Sequence, residues 1–172
     1  SNFSFAKNII ACAAIADTLN ISWELFRDRI STFQPPPGRC EIKKSKNMTF
    51  IDDTYNANPA SLDVAIKALC SFDGPHYIVL GDMGELGDEA KTFHKKVGLL
   101  AKKRNVEGLF TIGELSIYAS NGFGKDAFHF ENYDELGKSL IKILGKNSTV
   151  LVKGSRSMKM ERIVNLLIED KR

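Results

Sequence analysis

From Met48 to the C-terminus, short apolar runs alternate with stretches whose apolar residues recur at helical spacing. Few architectures accept that pattern. The runs Met48–Ile51, Tyr77–Leu80, Gly108–Ile112, Ala127–Phe130 and Thr149–Val152 have the length and composition of buried strands. Between them lie stretches such as Pro59–Cys70, with Leu62, Ala65, Ile66 and Leu69 on one face. Asp88 is placed to cap a helix carrying Phe93, Val97, Leu100 and Ala101, and Asn132 one carrying Leu136, Leu140, Ile143 and Leu144. Leu115–Ala119 reads as a short helix, and Ser157 opens a last one with Met160, Ile163, Val164, Leu167 and Ile168. Repeated strand–helix units of this length predict an α/β fold: a Rossmann-like, mostly parallel sheet with helices on both faces. Cys40–Lys44 adds either a hairpin partner to Met48–Ile51 or a separate preceding strand.

A different composition precedes these units. Residues 4–19 read as a helix with Ser4 as its cap, and Ser22 starts a second helix that runs to about Ile30. Gln34-Pro35-Pro36-Pro37-Gly38 then stops both patterns, because consecutive prolines force an extended, stiff segment. The chain is therefore expected to divide into a short helical segment, 1–36, and an α/β domain, 37–172. Two small helices cannot bury much alone and read as the remnant of a preceding domain or as a docking arm.

Bulk properties exclude several classes. The 172 residues carry a formal charge of +3, dispersed along the chain, and no basic cluster suits nucleic acid or an anionic membrane. The three cysteines, Cys12, Cys40 and Cys70, are far apart and have no histidine beside them. That argues against a zinc site or a disulfide framework and for a reducing compartment. No stretch reaches the length of a transmembrane helix and no signal peptide precedes the first helix, so the expected location is the cytoplasm. Trp23 and the phenylalanines read as packing residues. His94 has no second histidine or cysteine at ligand spacing and reads as structural or surface.

Ligands of open α/β sheets sit beyond the carboxyl ends of strands, beside helix N-termini. Three such loops carry polar residues. Asp52-Asp53-Thr54-Tyr55-Asn56-Ala57-Asn58-Pro59 follows a strand and ends in a helix cap, a position for a site or simply for a loop capped by Asp and Asn. Gly81-Asp82-Met83-Gly84-Glu85-Leu86-Gly87 lacks the G-x-G-x-x-G spacing, and its acids would repel a pyrophosphate. Lys153-Gly154-Ser155-Arg156 combines two cations, a hydroxyl and a glycine before a helix, which suits a carboxylate or phosphate; its plainer reading is a turn with exposed basic residues. No Walker A motif occurs in the sequence.

Taken together, in this order and spacing, these three loops with His94 and Val97-Gly98 resemble the Mur ligase family, nearest to its D-alanyl-D-alanine-adding branch. The resemblance runs from about Gly38 to the C-terminus. Asn8-Ile9-Ile10-Ala11-Cys12-Ala13-Ala14 is similar to the last helix of that family's central ATPase domain, with Ser4-Phe5 where the family has His-Asn. The resemblance implies a cytoplasmic, ATP-dependent ligase of peptidoglycan synthesis. It phosphorylates the carboxylate of a UDP-N-acetylmuramoyl-tripeptide, and the D-Ala-D-Ala amine attacks the acyl phosphate. In the family pattern Asn8, Arg39, Asp53, Tyr55 and Asn56 belong to the ATP side. Lys153, Ser155 and Arg156, with Asp82 as a further candidate, belong to the D-Ala-D-Ala side. No catalytic residue and no metal ligand is expected in this chain. ATP and Mg would be bound mainly by a central domain whose P-loop this sequence does not contain, so the chain is expected to be inactive alone, and monomeric. A related ligase such as folylpolyglutamate synthase, or a non-catalytic α/β binding module, remains an alternative.

Overall fold

The computed structural model describes residues 3–45 and 47–169. The chain divides into two compact units, Ser1–Pro36 and Pro37–Arg172. The first holds helices α1 (Phe3–Thr18) and α2 (Trp23–Thr32). Ser22 caps α2 by accepting the Leu25 amide at 3.3 Å, as its position predicts. Helix α1 starts at Phe3, so Ser4 lies within it rather than at its cap. Trp23 departs from expectation. It is 54% exposed and sets its ring edge-to-face with Phe26, centroids 5.7 Å apart, because two short helices offer no core deep enough for an indole.

In the second unit the alternation becomes six strands and five helices: β1 (Glu41–Ser45), β2 (Met48–Asp53), α3 (Pro59–Leu69), β3 (His76–Gly81), α4 (Ala90–Lys103), β4 (Gly108–Ile112), α5 (Ile117–Phe123), β5 (Ala127–Phe130), α6 (Tyr133–Ile143), β6 (Thr149–Lys153) and α7 (Glu161–Glu169). The sheet order is β1-β2-β6-β3-β4-β5. Only β1 is antiparallel; it forms a hairpin with β2 in which Ile42 faces Ile51. The other pairings are parallel. The mostly parallel sheet expected from the sequence is present.

Strand residues alternate between two cores. Ile51, Ile78, Leu80, Leu109 and Leu151 pack with side chains of α3, α4 and α5. Phe50, Val79, Phe110, Val150 and Val152 pack with α6 and α7 on the other face. Period 2 in the strands and 3.6 in the helices thus sort the apolar residues into layers. Burial of these side chains, at roughly 25 cal/mol per Å² of apolar surface, is the main stabilising term.

Several helix starts differ from the sequence reading, each for a local reason. Asn58 and Ser61 form a reciprocal capping box for α3, and Asn132 caps α6 through the Glu135 amide at 2.9 Å, both as predicted. Asp88, by contrast, caps nothing; it lies inside a 3-10 turn, Gly87–Glu89, that leads into α4. Helix α7 starts at Glu161 rather than Ser157, because Lys159 takes a left-handed conformation (φ 49°) that breaks the helical path. Helix α5 extends to Phe123, beyond the expected Ala119. Its Ser-Asn-Gly run looks like a breaker, yet α4 and α5 approach so closely that glycine is required. A Cβ on Gly98 of α4 would sit 1.9 Å from the Ala119 carbonyl oxygen. Gly98→Ala must push the two helices apart, and the expected loss is about 1–3 kcal/mol of unfolding free energy, read by urea denaturation. An unchanged midpoint would contradict this packing.

Candidate functional site

Strand order fixes where the polar loops meet. β6 lies between β2 and β3. The chain leaves β2 and β3 toward α3 and α4 on one face, and leaves β6 toward α7 on the other. Loops that part in this way open a crevice at the carboxyl ends of the strands. Here the crevice is a cleft of about 490 Å³ lined by Tyr55, Asn56, Ala57 and Asn58, by Gly84, Glu85 and Leu86, and by Ser155, Arg156 and Ser157. All three loops singled out in the sequence contribute to its wall.

The first loop is held from below. In the β2–β6 register Asp53 lies opposite Lys153. Lys153 is 2% exposed, and its ammonium reaches Asp53 Oδ2 at 2.5 Å, the Asn56 carbonyl at 2.7 Å and the Asp53 carbonyl at 3.5 Å. A lysine ammonium has three protons, and all three have acceptors here. The other Asp53 oxygen, Oδ1, accepts the Cys40 amide at 3.1 Å. Asp52 is locked separately: Thr54 Oγ1 donates to its Oδ1 at 2.7 Å, and Lys43 Nζ meets its Oδ2 at 2.6 Å. Burial pulls the Lys43 pKa down, but hydrogen bonding and attraction from Asp52 and Glu41 outweigh this and leave it raised. With a raised folded-state pKa, the pair contributes fully below the ordinary lysine pKa and is lost only as pH climbs through the raised value. Above the buried carboxylates, the Arg39 guanidinium stacks over the Tyr55 ring, 4.0 Å from its centroid.

The second loop is ordered by its own helix. His94 is fully buried; its Nε2 accepts the Met83 amide at 3.0 Å while Nδ1 lies 2.7 Å from the Ala90 carbonyl. A nitrogen accepting an amide carries no proton, so Nδ1 is the donor and His94 is a structural residue. Asp82 is engaged elsewhere than in the cleft: its Oδ1 accepts the Leu115 and Ser116 amides at 3.1 and 2.7 Å, just ahead of α5. Gly113 (φ 121°) makes room for that carboxylate, since a Cβ there would come within 2.4 Å of it.

The third loop, after β6, is tied at both ends. The Ser155 amide donates to the Asp82 carbonyl at 2.8 Å, and the Tyr133 hydroxyl donates to the Met158 carbonyl. Burial is the main cause that pushes the Tyr133 phenol pKa up, which keeps that donor protonated. Ser155 Oγ lies 3.2 Å from Ser157 Oγ. Arg156 is 63% exposed at its side chain and meets Glu161 at 3.1 Å, an exposed pair of the kind worth little and easily exchanged.

The structure therefore brings Tyr55, Asn56, Ser155 and Arg156 to one cleft, with Arg39 stacked on its Tyr55 wall and Asp53 and Lys153 beneath it. Asn8 lies exposed on α1, in the other unit. Glu85 and Leu86 entered the sequence reading only as members of the Gly81–Gly87 loop, with no site role of their own, although Glu85 holds a left-handed conformation (φ 60°) rare outside glycine, aspartate and asparagine. Glu161 also went unnoticed, because the left-handed turn that carries it back to Arg156 leaves no periodic signal. Among the described residues no group of three or more His, Cys, Asp or Glu could hold a metal ion. No helix among them is long and apolar enough to cross a membrane.

Comparison with known proteins gives a consistent picture. A family model described as Mur ligase, glutamate ligase domain, matches residues 38–156. The UDP-N-acetylmuramoyl-tripeptide–D-alanyl-D-alanine ligase of Buchnera aphidicola subsp. Baizongia pistaciae is 42% identical over 167 residues, 95% of this chain and 36% of that protein. The crystal structure of MurF ligase from Thermotoga maritima in complex with ADP superposes with a TM-score of 0.86 at 26% identity, covering 98% of this chain and 39% of that one. A MurF structure from Acinetobacter baumannii gives 0.89 at 28% identity, over 99% of this chain and 38% of that one. The chain thus spans little more than a third of the length of these relatives.

Removing the Asp82 carboxylate strips two acceptor bonds from the α5 start. Asp82→Ala is expected to lower stability by about 1–3 kcal/mol in urea unfolding. Loss of ligand binding with stability unchanged would place Asp82 in the cleft instead.

Proposed function

The chain belongs to the Mur ligase family, and on that premise we propose that it is the C-terminal domain of a ligase that adds D-Ala-D-Ala to a UDP-N-acetylmuramoyl-tripeptide in peptidoglycan synthesis. The 1–36 segment is then the helical tail of a central ATPase domain, and 37–172 the domain that closes over nucleotide and presents the amine. One observation carries the reading. Three loops from separate strands, each bearing a family motif, line a single cleft at the β2, β6 and β3 ends. The name of the 42%-identical relative favours D-Ala-D-Ala over the folylpolyglutamate alternative.

The cleft suits a small zwitterion. Arg156 supplies an exposed cation with the fork geometry that a carboxylate accepts bidentately, and Ser155 and Ser157 supply hydroxyls beside it. Glu85, exposed and with no hydrogen bond or ion pair among the described residues, lines the same cleft and matches an ammonium. On the nucleotide side, Arg39 offers charge for phosphates, Tyr55 a flat ring, Asn56 an amide, and Asp53 spare lone pairs for ribose hydroxyls.

ATP supplies the phosphoryl-transfer free energy that activates the acceptor carboxylate. The side chains that line the cleft can bind and orient two ligands, so the contribution read for this chain is orientation. Holding an amine against an activated carboxylate replaces a bimolecular encounter by a fixed geometry, an effect that reaches several kcal/mol in well-aligned systems. No side chain here is assigned a covalent or proton-transfer step, and the chain alone is expected to form no amide bond.

Calorimetric titration of D-Ala-D-Ala into the chain tests the amine side. Arg156→Ala is expected to weaken binding at least tenfold, and Glu85→Gln to erase the preference over N-acetyl-D-Ala-D-Ala, which has no ammonium. Equal binding of the dipeptide by wild type and Arg156→Ala would exclude the role given to that arginine.

A further inference from the structure

Lys153 opens the Lys-Gly-Ser-Arg loop and by sequence belongs with the residues that would grip a carboxylate. Its surroundings point elsewhere. The side chain is 2% exposed, it is not part of the cleft wall, and its three protons are directed at Asp53 Oδ2, the Asp53 carbonyl and the Asn56 carbonyl. No donor remains for a substrate. Two of the three acceptors are main-chain oxygens at either end of Asp53–Asn56, so the ammonium clips a bend in the chain as well as pairing with a carboxylate.

That bend carries the nucleotide-side residues. Tyr55 sits at its crest, its amide donating to the Gly38 carbonyl at 2.9 Å, and its ring lies under the Arg39 guanidinium. Asp53 Oδ1 meanwhile accepts the Cys40 amide, where the backbone takes a left-handed φ of 52°. The Gly38–Cys40 segment and the 53–56 bend are thus joined through Asp53, and Asp53 is held by Lys153. We infer that Lys153 is a positioning residue: it sets the Asp53–Asn56 bend, and through Asp53 the Arg39–Tyr55 pair, for nucleotide, and does not bind the amine substrate itself. The inference rests on the functional reading above for which ligand uses which side; the clip itself rests on the geometry alone.

Amide hydrogen exchange of the 172-residue chain, with Lys153→Met and Asp53→Asn variants, tests the clip. Methionine keeps the length and apolar stem and removes the donors. Asparagine keeps an acceptor for the Cys40 amide and removes the charge partner, so it reports even if Lys153→Met does not fold. Exchange at Thr54–Asn58 is expected to speed up at least tenfold in either variant, while β4 and the Gly84–Leu86 loop stay as in wild type. An unchanged bend, or a uniform rise that includes β4, would overturn the proposal. In parallel titrations Lys153→Met is expected to weaken ADP at least tenfold and leave D-Ala-D-Ala within twofold. Loss of D-Ala-D-Ala with an unaltered bend would make Lys153 a direct ligand and sink the inference. If the wild-type chain binds neither ligand, the assignment of a nucleotide side and an amine side within this chain fails, and the exchange result still decides the clip.

Discussion

The Asp53–Lys153 pair is the interaction on which the functional end of this domain depends. Two ionised groups taken out of water are costly, and such a pair is tolerated only where further hydrogen bonds satisfy both partners. Here they do: the ammonium has three acceptors, and the carboxylate has a backbone amide on its other oxygen. Replacing a satisfied buried pair with apolar residues often costs little, whereas removing one partner typically costs about 3–5 kcal/mol. The pair is best understood as a geometric device. It joins the carboxyl ends of β2 and β6 at matched register, where a loop to one face of the sheet parts from a loop to the other.

The remaining loops are fixed by the same economy, in which polar groups of one loop satisfy the backbone of another. The Asp82 carboxylate serves the start of α5, and its carbonyl receives Ser155. His94 holds Met83, and Tyr133 holds the turn after Ser155. Of the side chains that line the cleft, Asn58 caps α3, Asn56 accepts the Ala57 amide, Arg156 meets Glu161 and Ser155 pairs with Ser157, which leaves Glu85 without a hydrogen bond or ion pair among the described residues. Such a site is preorganised, so less ordering has to accompany binding.

Much of this could be read in the sequence, for reasons that differ from element to element. The β4 and β5 runs are mostly apolar segments between turn residues, and their boundaries were predicted correctly. Asn58 and Asn132 were legible as caps because their chemistry is local. What escaped depends on contacts between distant segments. Gly122 looks like a breaker until α4 is seen against α5; Asp88 looks like a cap until the turn before α4 is known; Trp23 looks like core in a segment that has little. The site shows the same division. Sequence placed three polar loops at strand ends, and all three line the cleft, but only the structure shows Lys153 turning under the first loop and Asp82 turning toward α5.

The central claim is that the three loops form one site with a nucleotide side and an amine side. Nitrogen–proton correlation spectra of the labelled chain, titrated first with ADP and then with D-Ala-D-Ala, test it directly. The account predicts that ADP shifts amides at Arg39, Cys40 and Asp53–Asn56, and that D-Ala-D-Ala shifts those at Gly84–Leu86 and Ser155–Ser157. Shifts confined to amides outside these loops, or both ligands moving the same few amides in competition, would contradict it.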